Sequence, residues 1–140
     1  MSTIKFRPVE KKDWKDVYFL LNQLTELLGQ IRDKEVCWHG FISNNSNNAI
    51  VGIYNDQIVA YGNIVIENKI RGETAGHIED IVVDRKFRGK NYGVELIEQL
   101  VKIGHGKKCY RITLTCDQSL ISFYHKNDFK VDNIAMKRRL

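Results

Sequence analysis

Proline is almost missing: Pro8 is the only one in 140 residues, so element boundaries must be set by Gly, Asn and Asp. Cysteine is scarce too. Cys37, Cys109 and Cys116 form an odd set with no CxxC pair. That excludes a disulfide framework and a zinc site, and fits free thiols in a reducing, cytoplasmic compartment. The four histidines, His39, His77, His105 and His125, make no HxxxH or HExxH pair, so no metal is expected. Long apolar runs are absent, and every apolar stretch is broken by charge, so no membrane span is expected. Lys5, Arg7, Glu10, Lys11, Lys12 and Asp13 crowd the N-terminus and leave no apolar stretch for a secretory signal. No linker, repeat or low-complexity region divides the chain; the polar cluster Ser43–Asn48 reads as a surface loop.

What is present is ordinary for a folded domain. Apolar residues make up 43% and charged residues 28%, and the length fits a single domain over residues 1–140. The net charge of +5 admits nucleic acid or small anions as partners. The basic residues are spread out, however, without the aromatic interleaving of a nucleic-acid face. Small phosphorylated ligands are the favoured reading.

Hydrophobic spacing gives the element order β, α, α, β, β, β, α, β, α, β, β. A strand is expected at Ile4–Arg7. Over Lys12–Leu28, apolar residues from Trp14 to Leu28 recur every three or four positions, which predicts an amphipathic helix. A shorter helix is expected at Lys34–Ile42. Ile50–Tyr54 and Ile58–Glu67 read as a hairpin turning at Asn55-Asp56-Gln57, and Gly76–Val83 as the next strand. A helix then runs to about Gly104, followed by a strand at Arg111–Cys116 and a helical segment at Ser119–Lys126. Closing strands are expected at Phe129–Val131 and Ile134–Arg138. The fold class is α/β, with a central mixed, mostly antiparallel sheet flanked by helices.

Chemistry concentrates in Gly76–Gly93. Arg88-Gly89-Lys90-Asn91-Tyr92-Gly93 lies between a Val-rich strand and a helix. There backbone N–H groups, the helix dipole and two cationic side chains converge, as a pyrophosphate requires. Gly89 and Gly93 permit close approach. The loop is neither a P-loop nor a GxGxxG fingerprint. Taken alone, a stretch of this kind is more often a helix-capping loop. The context is Glu79 and Asp80 on the strand leading in: adjacent residues of a strand face opposite sides, so one acid points inward and needs a partner or a substrate. Pairing with a nearby Arg or Lys is the alternative.

Arg88–Gly93 resembles the R/Q-x-x-G-x-G/A cofactor motif of the GNAT superfamily of N-acetyltransferases, with Asn91 in place of the central Gly. Asn is the non-glycine residue that best tolerates left-handed backbone. GNIVIENKI (Gly62–Ile70), GHIEDIVVD (Gly76–Asp84) and ISFYHKNDF (Ile121–Phe129) resemble the eukaryotic-type glucosamine-6-phosphate N-acetyltransferase family. The likeness is strong from Gly62 to the C-terminus and holds only in pattern before it.

The resemblance implies a GNAT fold and direct acetyl transfer from acetyl-CoA to the amine of glucosamine 6-phosphate, without an acyl-enzyme. Ile81 and Val83 would bind the cofactor through their main chain, and Arg88, Gly89, Lys90, Asn91, Tyr92 and Gly93 would hold its pyrophosphate. Glu79 and Asp80 would hold the sugar and its amine, and Tyr124 would protonate the departing thiolate. Arg111, Arg139 and Thr25 match substrate-binding positions, with Arg139 acting across a homodimer interface. By itself Tyr124 would be a packed aromatic beside Phe123, and Arg139 a solvated terminal charge. Thr115 stands where the family has an acid, for which Asp117 is a candidate substitute. Asp128 replaces a Gly before Phe129, a change that a turn residue can accommodate. Cys116 is expected to be a buried strand cysteine, since no His is placed to activate it. Transfer to another small or protein amine, and a non-catalytic acyl-CoA-binding module, remain as alternatives.

Overall fold

The structure, a computed structural model, describes residues 3–24 and 33–140. One sheet runs in the order β1 to β5. Its strands are β1 (Lys5–Pro8), β2 (Asn47–Tyr54), β3 (Gln57–Asn68), β4 (Thr74–Val83) and β5 (Arg111–Leu114). The helices are α1 (Trp14–Leu24), α2 (Lys34–Ile42), α3 (Tyr92–Gly106) and α4 (Ile121–Lys126). Strands β1 to β4 pair antiparallel with their neighbours, and β5 joins β4 in parallel. The parallel join follows from the length of α3: reversing direction twice takes a crossover helix.

The β2–β3 hairpin turns on Asn55 and Asp56, both left-handed at φ 47° and 63°, as a two-residue hairpin loop of primed type demands. Two apolar clusters sandwich the sheet. On one face Ile4, Ile50, Ala60, Ile64 and Ile78 pack with Leu96 and Leu100 of α3. On the other, Ala49, Val51, Tyr61 and Val82 meet Val17 and Leu20 of α1. Leu20, Leu96 and Leu100 are fully enclosed, which is the three-and-four spacing of both helices put to use.

Three expectations need correction. Residues 129–138 form no strand: a strand exists only where a neighbour completes its ladder, and among the described residues no strand pairs with this segment. β5 ends at Leu114, so Cys116 lies beyond the strand and is only partly buried. The first helix begins as a 3-10 turn at Lys11–Asp13, and its α-helical part starts at Trp14; Leu27 and Leu28 fall outside the described residues.

Asp13 anchors that turn. Its carboxylate accepts from Arg7 Nη1 at 2.6 Å, Arg7 Nη2 at 2.8 Å and the Glu10 N–H at 2.8 Å, although the residue is only 3% exposed. The Arg7 bonds hold the Asp13 carboxyl below its usual pKa, outweighing the opposing effect of burial. Asp13→Asn is expected to lower the unfolding free energy by about 2–3 kcal/mol at neutral pH. An unfolded aspartate titrates near 3.9, so with a lowered folded pKa the contribution is complete above that value. It fades as pH falls through the folded pKa. Urea melts of both proteins should therefore converge in acid.

Candidate active site

The site is built where β4 parts from β5. β4 pairs with β3 as far as Val83 but with β5 only from Ala75 to Ile78. Glu79 to Val83 thus have an open side. The Asp84 N–H donates to the Val59 carbonyl at 2.8 Å. Main-chain direction alternates along a strand, so Ile81 and Val83 present theirs to the opening. Arg88 Nε reaches the Val83 carbonyl there at 3.3 Å.

The two acids do not simply alternate. The β3–β4 register shifts between Tyr61 and Asn63, and Asp80 takes a left-handed φ of 57°. Asp80 is the extra residue of a bulge. Beyond it Ile81 packs toward α3 and Val82 toward α1. Burial, and then the charge of Glu79, raise the Asp80 carboxyl above its usual pKa. Among the described residues neither acid pairs with Arg or Lys; the imidazole of His77 lies beside Glu79, with Nε2 3.6 Å from Oε1.

The anion loop follows at once. Asp84 is buried and its side chain accepts from the Lys86 N–H at 3.0 Å, fixing the short turn Arg85–Phe87. Gly89 has φ 82°, and a Cβ there would meet nothing within 4 Å. Asn91 sits at φ 64° before the first residue of α3 and makes no side-chain cap. The first-turn N–H groups, which no helix can satisfy internally, therefore point outward. Lys90 Nζ lies 5.8 Å from the Tyr54 ring and 5.6 Å from that of Phe87. An open cradle of N–H groups flanked by two cations fits a pyrophosphate. Tyr92 is buried in the core, so only its main chain can serve that loop.

α4 closes the wall. A Cβ on Gly93 would lie 3.3 Å from Phe123 Cζ, so the start of α3 carries α4 directly. Tyr124 packs edge-on to Phe123 at 5.0 Å and to Phe129 at 5.9 Å. The ring has the packed environment expected of a Phe-Tyr pair. Its hydroxyl pKa is raised, by burial first and then by Cys116, so the proton stays in place. Asp128 adopts φ 67°, the geometry its turn needs, and the Phe129 N–H closes onto the Tyr124 carbonyl at 3.0 Å.

Other expected residues lie further off. Asp117 is bound to Ser119, whose N–H and Oγ lie 3.0 and 2.6 Å from Oδ2. It caps its own turn. Arg111 lies over the Tyr110 ring at 5.2 Å and acts on Glu67. Arg139 lies on the exposed C-terminal segment, and Thr25 is outside the described residues. Asn63, His77 and Thr113 had drawn no functional reading. Asn63 is buried and ties β3 to β2, accepting from the Asn48 N–H at 2.9 Å and donating to Asn47 Oδ1 at 3.0 Å. A cavity of about 450 Å³ lies elsewhere, lined by Trp38, Phe41, Asn47 and Asn48 among others.

The model of the acetyltransferase (GNAT) family matches residues 13–129. The chain belongs to that family. It is an acetyl-CoA-dependent N-acetyltransferase. Glucosamine 6-phosphate N-acetyltransferase 1 of Dictyostelium discoideum is 33% identical over 146 residues, spanning 95% of this chain and 88% of that protein. The Arabidopsis thaliana glucosamine 6-phosphate N-acetyltransferase is 33% identical over 145 residues, 98% of this chain and 97% of that protein. A crystal structure of the glucosamine-6-phosphate N-acetyltransferase from Arabidopsis thaliana superposes with a TM-score of 0.87 at 31% identity, covering 98% of each chain.

The left-handed Asn91 makes a direct test of the GNAT loop. Asn91→Gly should bind CoA at least as tightly as the parent. Asn91→Val, which pays roughly 1–2 kcal/mol of backbone strain, should bind CoA about fivefold to thirtyfold more weakly by calorimetry.

Proposed function

We propose that this enzyme transfers the acetyl group of acetyl-CoA to the amine of glucosamine 6-phosphate, giving N-acetylglucosamine 6-phosphate and CoA. The observation that carries the reading is the bulge at Asp80. It sets two carboxylates without Arg or Lys partners at the mouth of the gap that ends in the anion loop. The names of relatives matched along nearly the whole chain support the choice of sugar.

Each residue then has a physical task. The main-chain groups of Ile81 and Val83 bind the amides of the cofactor arm, and the Arg88–Gly93 loop holds its pyrophosphate. When bound, acetyl-CoA supplies an acyl thioester, whose C–S bond breaks as the amine nitrogen forms the amide. Glu79 and Asp80 hold the sugar and orient its amine, so that attack is effectively intramolecular. Burial keeps the Asp80 carboxyl a better proton acceptor than an ordinary aspartate. The Tyr124 hydroxyl, protonated at neutral pH, gives its proton to the leaving sulfur. Arg111, Thr25 and Arg139 are assigned to the sugar phosphate.

Arg139 is assigned to the partner's site, as the family resemblance implies, so the proposal includes a homodimer. Ile134 and Met136 support it: they are 89% and 94% exposed on the extended C-terminal segment. Burying such side chains on a partner is favourable by about 1.5–3 kcal/mol each. Among the described residues no helix is long and apolar enough to cross a membrane, and the free thiols fit the cytoplasm.

Thiol release measured with acetyl-CoA and a panel of amines tests the acceptor. Glucosamine 6-phosphate should exceed glucosamine by about tenfold or more in kcat/KM, one charge-assisted phosphate contact being worth that much. Equal use of both, or of a lysine peptide, would overturn the assignment. Tyr124→Phe should lower kcat by about a hundredfold with CoA affinity unchanged. Mixing inactive Arg139→Ala and Tyr124→Phe chains should restore activity if Arg139 serves the partner's site.

A further inference from the structure

Glu79 is long, half in solvent, and beside a second acid, so it needs something to hold it on target. Side-chain entropy alone disfavours a single pose by roughly 1–2 kcal/mol, and repulsion from Asp80 pushes the carboxylate away. β5 gives this side of the sheet no carboxylate to help, since Arg111 and Thr113 alternate along it and Thr115 follows just past its end.

What does face Glu79 is an imidazole. His77 and Glu79 are two residues apart on β4 and share a face, while Ile78 between them is buried in the opposite core. The parallel register sets His77 directly opposite Thr113, and His77 Nδ1 lies 2.8 Å from Thr113 Oγ1. The other ring nitrogen, Nε2, is 3.6 Å from Glu79 Oε1.

The proton inventory fixes the direction of this chain. An ionised carboxylate only accepts, so the nitrogen that faces it must carry hydrogen. In the neutral ring Nδ1 is then the acceptor, and the Thr113 hydroxyl is the donor. The Thr113 hydroxyl, able to donate or accept, holds the ring at Nδ1 and leaves Nε2 toward Glu79. The same logic governs metal-bound histidines, whose second nitrogen is fixed by an outer partner. At 3.6 Å the Nε2–Glu79 contact is an ion-pair distance and not yet a hydrogen bond; such contacts shorten when substrate arrives.

We propose that His77, oriented by Thr113, is a positioning residue that aims the Glu79 carboxylate at the acceptor amine. The inference rests on Glu79 as an acceptor-binding group. It adds a role for a histidine and a threonine that touch neither the cofactor nor the reacting atoms.

The test is a double-mutant cycle read in the acceptor's kinetic constants. His77→Ala should lower kcat/KM for glucosamine 6-phosphate by about tenfold to a hundredfold, the usual effect of losing an outer partner. Thr113→Val, isosteric but without the hydroxyl, should give a smaller loss, and Thr113→Ser should recover it. Residues acting in series are non-additive, so the double variant should be no worse than His77→Ala alone. CoA affinity and the unfolding midpoint should stay at parental values throughout. Additive losses, a silent Thr113→Val, or parallel loss of CoA affinity would each overturn the inference while leaving the acceptor assignment intact.

A second measurement needs no turnover. Long-range ¹H–¹⁵N spectra of the parent should show His77 as the Nε2–H tautomer. Its Nε2 shift should respond to Glu79→Ala, and its tautomer should become mixed in Thr113→Val. If the parent does not acetylate glucosamine 6-phosphate, the acceptor assignment falls and the spectra alone decide: an Nδ1–H ring, or no response to Glu79→Ala, refutes the positioning chain.

Discussion

Strand β4 cannot keep both of its neighbours. Its antiparallel ladder with β3 continues to Val83, while the parallel ladder with β5 ends at Ile78. Asp80, in left-handed backbone, is where the two demands part. A non-glycine residue in that conformation costs about 1–2 kcal/mol, and the cost persists because packing beyond it is divided between two cores. Ile81 is claimed by the α3 side and Val82 by the α1 side; a slip of one residue would reverse both. The open main chain, the adjacent carboxylates of Glu79 and Asp80 and the entry to the anion loop all follow from that single inserted residue.

Charge is arranged along the opening in a gradient. Acids stand at the bulge, and cations and uncapped N–H groups stand at the loop that follows. Lys90 is spread over two aromatic rings, a contact worth roughly 0.5–1 kcal/mol at an exposed site. Its ammonium is thereby already gathered near the loop. At the far end of β5, Arg111 stands over Tyr110. The surface thus runs from anionic groups at the bulge to a cation at Arg111.

Much of this was legible in the chain before any coordinates. Periodicity located α3 and the β2–β3 hairpin, because Leu96 and Leu100 recur at helical spacing and Asn55-Asp56 is turn chemistry. The anion loop was legible because Arg88, Gly89 and Lys90 converge just ahead of an amphipathic run. The bulge was not, since nothing local to Glu79-Asp80 says which residue the ladder will skip. Pairing register is a property of two strands, and for the same reason His77 was invisible as a partner: Thr113 is its neighbour only once β5 lies beside β4. The misread C-terminal strands have a related cause. Val131, Ile134 and Met136 carry strand propensity, but propensity becomes a strand only beside another edge.

The contact between Gly93 and Phe123 ties two parts of the enzyme that would otherwise be free to diverge. Any side chain at position 93 would press on the Phe123 ring, which would have to give by a few tenths of an ångström, and Tyr124 packs against that ring. A change at position 93 is therefore felt by both the loop and α4. The side chains of Arg88, Lys90 and Asn91, by contrast, are exposed and free to vary without pressing on α4. Position 93 is held by a neighbour thirty residues on, roughly 100 Å along a fully extended chain, yet in direct contact in the fold.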